Sequence, residues 1–133
     1  MAIQYIIDTH TLLWYVADDR ALGKNAGTVL DDPTSELILP AIVFAEACFI
    51  VERGKVSLSL PTLIAAIDSD ERITFVSLDR TIIERTITLT TVGEMHDRQI
   101  VATALTLQDA GENVVVLTKD SNITASGVVA VLW

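Results

Sequence analysis

Ile3-Gln4-Tyr5-Ile6-Ile7-Asp8-Thr9-His10-Thr11-Leu12-Leu13-Trp14-Tyr15-Val16 changes its hydrophobic period at Asp8. Before it, Ile3 to Ile7 is a short apolar run that suits a buried strand; after it, Leu12, Leu13, Val16 and Ala17 fall on one helical face. A charge in such a neighbourhood is expensive unless it is paired or binds a metal. Three more acidic residues share this setting. Glu46 follows Ala41-Ile42-Val43-Phe44-Ala45, Asp97 opens Arg98-Gln99-Ile100-Val101-Ala102-Thr103-Ala104, and Asp120 follows Val114-Val115-Val116-Leu117-Thr118-Lys119.

Outward from that junction, short apolar runs alternate with helical periodicity, without linker, repeat or low-complexity segment. This rhythm predicts a single α/β domain over residues 1–133, built on a mostly parallel sheet. A second helix is expected over Gly23 to Leu30, closed by the Asp32-Pro33 turn signal. Leu37 to Leu39 reads as a strand, and Pro40 leads into a helix ending near Gly54. Pro61 suits the first turn of another helix. Ile73 to Val76 reads as a strand, and Asp79 as the cap of a helix through about Ile87. Thr88 to His96 reads as a loop, and Asp97 as the start of a helix running to about Gly111. Final strands are expected at Val114 to Leu117 and Val128 to Leu132.

Composition bounds the function. Half of the 133 residues are hydrophobic and 20% are charged, and the mean hydropathy of +0.47 is rich enough to suggest that some apolar surface lies in a subunit or partner interface. The net charge of −9 argues against broad electrostatic binding to nucleic acid and leaves room only for a local basic groove. Cys48 is the one cysteine, which excludes an intramolecular disulfide and fits a reducing, cytoplasmic setting. Its plainest role is as a small apolar residue in a helix. No signal peptide is read at the N-terminus, because Asp8 interrupts the early apolar stretch, and no run is long enough to span a membrane.

In open parallel sheets, ligands bind outside the carboxyl ends of the strands, where strand order reverses. Asp8 and Asp120 follow strand ends, Asp97 stands at a helix start on the same side, and Glu46 reaches that edge if its helix packs beside the first strand. Singly, Asp97 and Asp8 could be helix caps and Asp120 a turn residue. Glu46 resists such an explanation, since Ala41 to Val51 carries no other charge. Gathered, four carboxylates suit Mg²⁺ or Mn²⁺, which are hard ions that take oxygen ligands and keep several waters. No paired His or Cys stands at zinc spacing.

These blocks together, Asp8-Thr9-His10-Thr11-Leu12-Leu13-Trp14, Glu46 after Pro40-Ala41-Ile42, Asp97 to Ala104 and Thr118-Lys119-Asp120, resemble a PIN domain, and within that family the VapC-type toxins of toxin–antitoxin pairs. The resemblance covers nearly the whole chain. It implies a three-layer α/β/α fold with a five-stranded parallel sheet, a metal-dependent ribonuclease site, an antitoxin partner and a homodimer. Asp8, Glu46, Asp97 and Asp120 match the acidic quartet, and Thr118 a hydroxyl position beside it. Asn122 stands where many relatives carry a further acidic residue, which bears on how a second metal would be held. The implied reaction is in-line attack of activated water on a phosphodiester of single-stranded or looped RNA, leaving a 5′-phosphate and a 3′-hydroxyl. Asp8 and Asp97 are the expected direct ligands, Asp120 a ligand or its support, and Glu46 a bridge to a second metal or the group orienting water.

Other residues carry two readings each. Arg98 and Lys119 meet substrate phosphates or balance the neighbouring Asp97 and Asp120. His96 and His10 serve as proton carriers or as surface residues. Arg53 and Lys55 guide RNA or solvate a helix end. Trp14 and Tyr15 stack on bases or pack in the core. Phe44, Phe49 and Ile50 are core or the seat of an antitoxin helix, one of whose arginines would enter the acidic site. An alternative class is a PIN-fold binding module without nuclease activity, disfavoured by four carboxylates that repel unless a cation binds. A phosphatase or receiver domain is weaker still, as Asp8-Thr9-His10 lacks a second Asp two residues on.

Overall fold

The computed structural model describes residues 2–133. In chain order, the elements are β1 (Ile3–Ile7), α1 (Thr9–Val16), α2 (Lys24–Asp31), β2 (Glu36–Pro40), α3 (Ala41–Glu52), α4 (Leu60–Asp68), β3 (Ile73–Val76) and α5 (Arg80–Arg85). A 3₁₀ turn (Thr86–Thr88), α6 (Met95–Asp109), β4 (Asn113–Leu117), α7 (Ser121–Ser126) and β5 (Ala130–Leu132) complete it. The five strands form one sheet in the order β3-β2-β1-β4-β5, and every pairing is parallel.

This order explains the sequence pattern. The chain steps from β1 outward through β2 and β3, then returns to the other side of β1 for β4 and β5. Right-handed crossovers place α1 to α4 on one face and α5 to α7 on the other, in keeping with the contacts within each group. The central strands, covered on both sides, read as continuous apolar runs. Ile6, Ile7, Leu37, Leu39, Val116 and Leu117 are all buried, each side chain contributing about 1.5–3 kcal/mol relative to an exposed one. On α3, Val43, Ala47 and Val51 form the buried stripe at four-residue spacing. Two residues past the end of that helix stands Gly54, whose φ of 67° is the left-handed conformation that commonly closes a helix C-terminus.

Three boundaries and one short helix depart from the sequence reading. α6 begins at Met95, and its cap is Glu94, whose carboxylate accepts from the Asp97 amide at 3.0 Å. Asp97 lies inside the first turn rather than at the start. The helix capped by Asp79 stops at Arg85 and tightens into a 3₁₀ turn. The segment after Asp120 is a helix of six residues, α7, too short for any hydrophobic period to reveal. β5 starts at Ala130 rather than Val128. The reversal of strand order falls between β1 and β4, where Ile7 pairs with Leu117, so the crevice opens beyond those two residues.

Candidate functional site

Asp8 is the first residue beyond β1 and the N-cap of α1. Its Oδ1 accepts from the Thr9 amide at 2.7 Å. Its Oδ2 accepts from the buried hydroxyl of Thr118, one residue past β4. The same hydroxyl accepts from the Asp120 amide at 2.9 Å. The β1–β4 pairing is carried into the crevice by the Asp8 amide, which donates to the Leu117 carbonyl at 3.3 Å, and by the Thr11 hydroxyl, which donates to that carbonyl at 2.7 Å. Thr118 therefore joins two of the carboxylates, and a Val there would leave the Asp120 amide without its acceptor.

Glu46 reaches the crevice from α3. Its Oε1 accepts from the Thr9 hydroxyl at 2.8 Å, and its Oε2 lies 3.4 Å from His96 Nδ1. That nitrogen also stands 3.2 Å from Glu94 Oε1, so His96 links α3 to the cap of α6. Asp97 is 8% exposed. Because Glu94 does the capping, the Asp97 carboxylate is spared for the crevice, where Oδ2 accepts from the Asn122 amide group at 3.4 Å. Asp120 caps α7 with Oδ1, accepting from the Asn122 and Ile123 amides at 2.8 and 3.1 Å. Among the described residues, Asp120 Oδ2 and Asp97 Oδ1 carry no hydrogen bond. The capping role foreseen for Asp8, and the one that Asp120 takes in place of the expected turn role, thus coexist with a place in the cluster.

The electrostatics are those of like charges held together in a poorly solvated place. Burial pushes the Asp8 carboxyl up, opposed by the Thr118 and Thr9 hydrogen bonds and reinforced by Asp120 and Glu46. Asp97 is pushed up to about 6, first by burial and then by Asp120, with Glu94 and Asp8 adding to the effect. Among the described residues, no Lys or Arg forms an ion pair with Asp8, Glu46, Asp97 or Asp120. No three His, Cys, Asp or Glu side chains there stand at a common ligand distance. The carboxylates feel one another without forming a closed cage. Their chemistry, all oxygen donors with free lone pairs on Asp97 and Asp120, fits a hard divalent ion that keeps part of its water shell.

The remaining candidates separate. Lys119 lies at the crevice, its ammonium 4.8 Å over the Trp14 ring, and Trp14 lines the cleft with Asp8, His10 and Asp120. Arg98 turns away, its guanidinium donating to the Val92 carbonyl and tying down the loop before α6. Tyr15 is a structural residue whose hydroxyl donates to the Leu30 carbonyl at 3.0 Å. Arg53 sits 4.9 Å over the Phe49 ring, and Phe49 is 56% exposed, beside Ala45, Glu46 and His96. Burial and then Glu52 push the Cys48 thiol up, in keeping with an inert packing role. Thr9 and Glu94 were not singled out from sequence. The signal for Thr9 is its place directly after Asp8, and for Glu94 an acceptor three residues before a helical amide.

Comparison with known proteins agrees with this fold. Residues 5–127 match the family model described as PIN domain. No curated protein sequence matches the chain. Its fold is similar to VapBC2 from Rickettsia felis bound to a DNA fragment from their promoter, with a TM-score of 0.69, 12% identity and 97% of both chains covered. It is also similar to FitAcB from Neisseria gonorrhoeae, with a TM-score of 0.66, 16% identity and 97% and 96% covered. VapBC-1 from nontypeable Haemophilus influenzae is similar too, with a TM-score of 0.62, 21% identity and the same coverage. The identities are low and the likeness is one of fold, but the family match spans most of the sequence and takes in all four acidic blocks: this chain belongs to the PIN domain family.

Proposed function

We propose that the chain is a divalent-metal-dependent endoribonuclease, the toxin of a toxin–antitoxin pair, working as a homodimer in the cytoplasm. The observation that carries this reading is the convergence of four carboxylates from separate elements at the strand-order reversal, with Asp8 and Asp97 desolvated and none of the four paired with a Lys or Arg among the described residues. Such a cluster destabilises a fold unless it has a use for a cation. Asp8 and Asp97 would hold a Mg²⁺ or Mn²⁺ directly, with Asp120 through its free oxygen and Glu46 on the far side. When bound, the cation supplies neutralisation of phosphate charge and acidification of water.

The chain's own residues position the rest. Thr118 holds Asp8 and the Asp120 backbone in register, and Thr9 and His96 hold Glu46 where it can orient the attacking water. In the hydrolysis, the water oxygen bonds to phosphorus, the P–O3′ bond breaks and the 3′ oxygen takes up a proton. Lys119 is the cation available to substrate phosphate, whereas Arg98 acts through the loop it anchors. The exposed Phe49 beside Ala45 and Glu46 offers an antitoxin helix an apolar seat next to the site, from which an arginine would neutralise the carboxylates.

The test is cleavage of a mixed pool of single-stranded and structured RNAs with Mg²⁺ or Mn²⁺, comparing wild type, Asp8→Asn and an EDTA control. Cutting that requires metal and is lost in Asp8→Asn supports the proposal. Equal cutting by both proteins would mean a contaminating nuclease or a wrong site, and none by either, together with no metal-dependent rise in melting temperature, would favour a PIN-fold binding module. Sedimentation of the purified chain checks the dimer.

A further inference from the structure

Trp14 is placed for a purpose the acidic cluster does not explain. On α1 the residues Leu12 and Leu13 are buried, whereas His10 and Trp14, one turn apart, form a partly exposed wall with ring centroids 5.3 Å apart. The indole is held from behind by Trp133 at 5.7 Å, edge to face. Trp133 is itself clamped, because a Cβ on Gly23 would come within 2.6 Å of its ring and Asn25 Nδ2 donates to its carbonyl at 2.9 Å. Trp14 is therefore a preorganised surface, and the cleft of about 310 Å³ that it lines is shared with Asp8 and Asp120.

Lys119 lies on that surface with its ammonium 4.8 Å from the indole centroid and no carboxylate within ion-pair distance among the described residues. An exposed ammonium over an indole strengthens an association only about two- to five-fold. A base stacked on an aromatic ring strengthens it roughly five- to a hundred-fold. The exchange favours the base, and it frees the cation for the phosphate that a base brings with it.

On the nuclease reading above, we infer that the Trp14–His10–Lys119 wall is a seat for one unpaired nucleotide next to the scissile phosphate. Its base stacks on the Trp14 indole, and Lys119 leaves the indole to bind its phosphate. A paired base offers no free face, so the seat selects single-stranded or flipped-out nucleotides.

The experiment uses the full Asp8→Asn chain with Mg²⁺, so that RNA binds without being cut, and a single-stranded RNA of about eight nucleotides. The readouts are tryptophan fluorescence and the dissociation constant. Single-stranded RNA should quench the Trp14 signal and a duplex should not, with Trp14→Phe in the same background separating Trp14 from Trp133. One abasic position in the RNA should weaken binding about five- to a hundred-fold and abolish quenching, with the protein untouched. Lys119→Ala should lower the salt dependence of binding by about one phosphate contact. If no abasic position matters and quenching is absent while the wild-type chain still cuts RNA in a metal-dependent way, the nucleotide seat is wrong and the nuclease stands. If the wild type does not cut and the Asp8→Asn chain binds no RNA, both fall.

Discussion

Opposite ends of the sheet carry shielded carboxylates and treat them differently. At the amino end, Asp70 meets Arg72 at 2.8 and 2.9 Å, and the Arg72 guanidinium also donates to the Leu30 and Asp32 carbonyls at 2.7 Å. The Asp70 carboxyl is held below its usual range, chiefly by those Arg72 hydrogen bonds. At the carboxyl end, Asp97 is pushed up to about 6 by burial and Asp120, and Asp8 is raised as well. Both places bury charge. The first neutralises itself within the chain and joins α2 and β2 to β3, whereas the second leaves its carboxylates without a Lys or Arg partner among the described residues, as the proposed cation site requires.

The two ends should respond in opposite ways to loss of a charge. Asp8→Asn has the largest expected effect: metal-dependent cleavage falls by at least about a hundred-fold, while the chelated protein melts no lower than wild type, because a repelling charge has gone. A kinetic assay beside a melting curve checks both halves. Arg72→Met does the reverse, lowering stability in urea by about 2–4 kcal/mol by stranding Asp70 and two carbonyls, with cleavage per folded molecule unchanged. If Asp8→Asn destabilises the chelated chain as much as Arg72→Met does, the contrast between the ends is wrong.

A smaller effect is expected from pH. The folded Asp97 pKa of about 6 lies above the ordinary 3.8, so between these values the native state binds the proton more tightly than the unfolded state. Its contribution to stability is therefore greatest at low pH and is lost as pH rises through about 6. Asp97→Asn should remove this, so that its stability relative to wild type climbs by on the order of 2–3 kcal/mol from about pH 4 to pH 7 in EDTA. Mg²⁺ should cancel the difference by stabilising the wild type. Thr118→Val has the smallest expected effect, about 1–2 kcal/mol of stability and roughly ten-fold in divalent-ion affinity measured by titration calorimetry.

How far the site was legible can be followed residue by residue. Asp8 and Asp120 stood out because each closes an apolar run, and strand ends in a parallel sheet point to one edge. Glu46 stood out because α3 carries no other charge before Glu52. Asp97 stood out as a candidate, but its surroundings were misread: as a helix start it would have spent its carboxylate on capping, and Glu94 takes that task instead. Arg98 and Lys119 looked alike beside their aspartates, yet one holds the Val92 carbonyl and the other lies on Trp14. α7 was missed because six residues, Ser121 to Ser126, offer no periodicity.

Sequence alone determined the five strands and every helix but α7, and that Asp8 and Asp120 lie just past strand ends, because those depend on side-chain period and on neighbours within a turn. Tertiary structure decided that Thr118 bonds Asp8, that Thr9 and His96 hold Glu46, and that Trp14 closes the same cleft. Those contacts require β1 and β4 to be neighbours in one register and α3 to meet α6 across the sheet's end. Strand order and crossover side are long-range choices, settled by how whole faces bury one another rather than by any local run of residues.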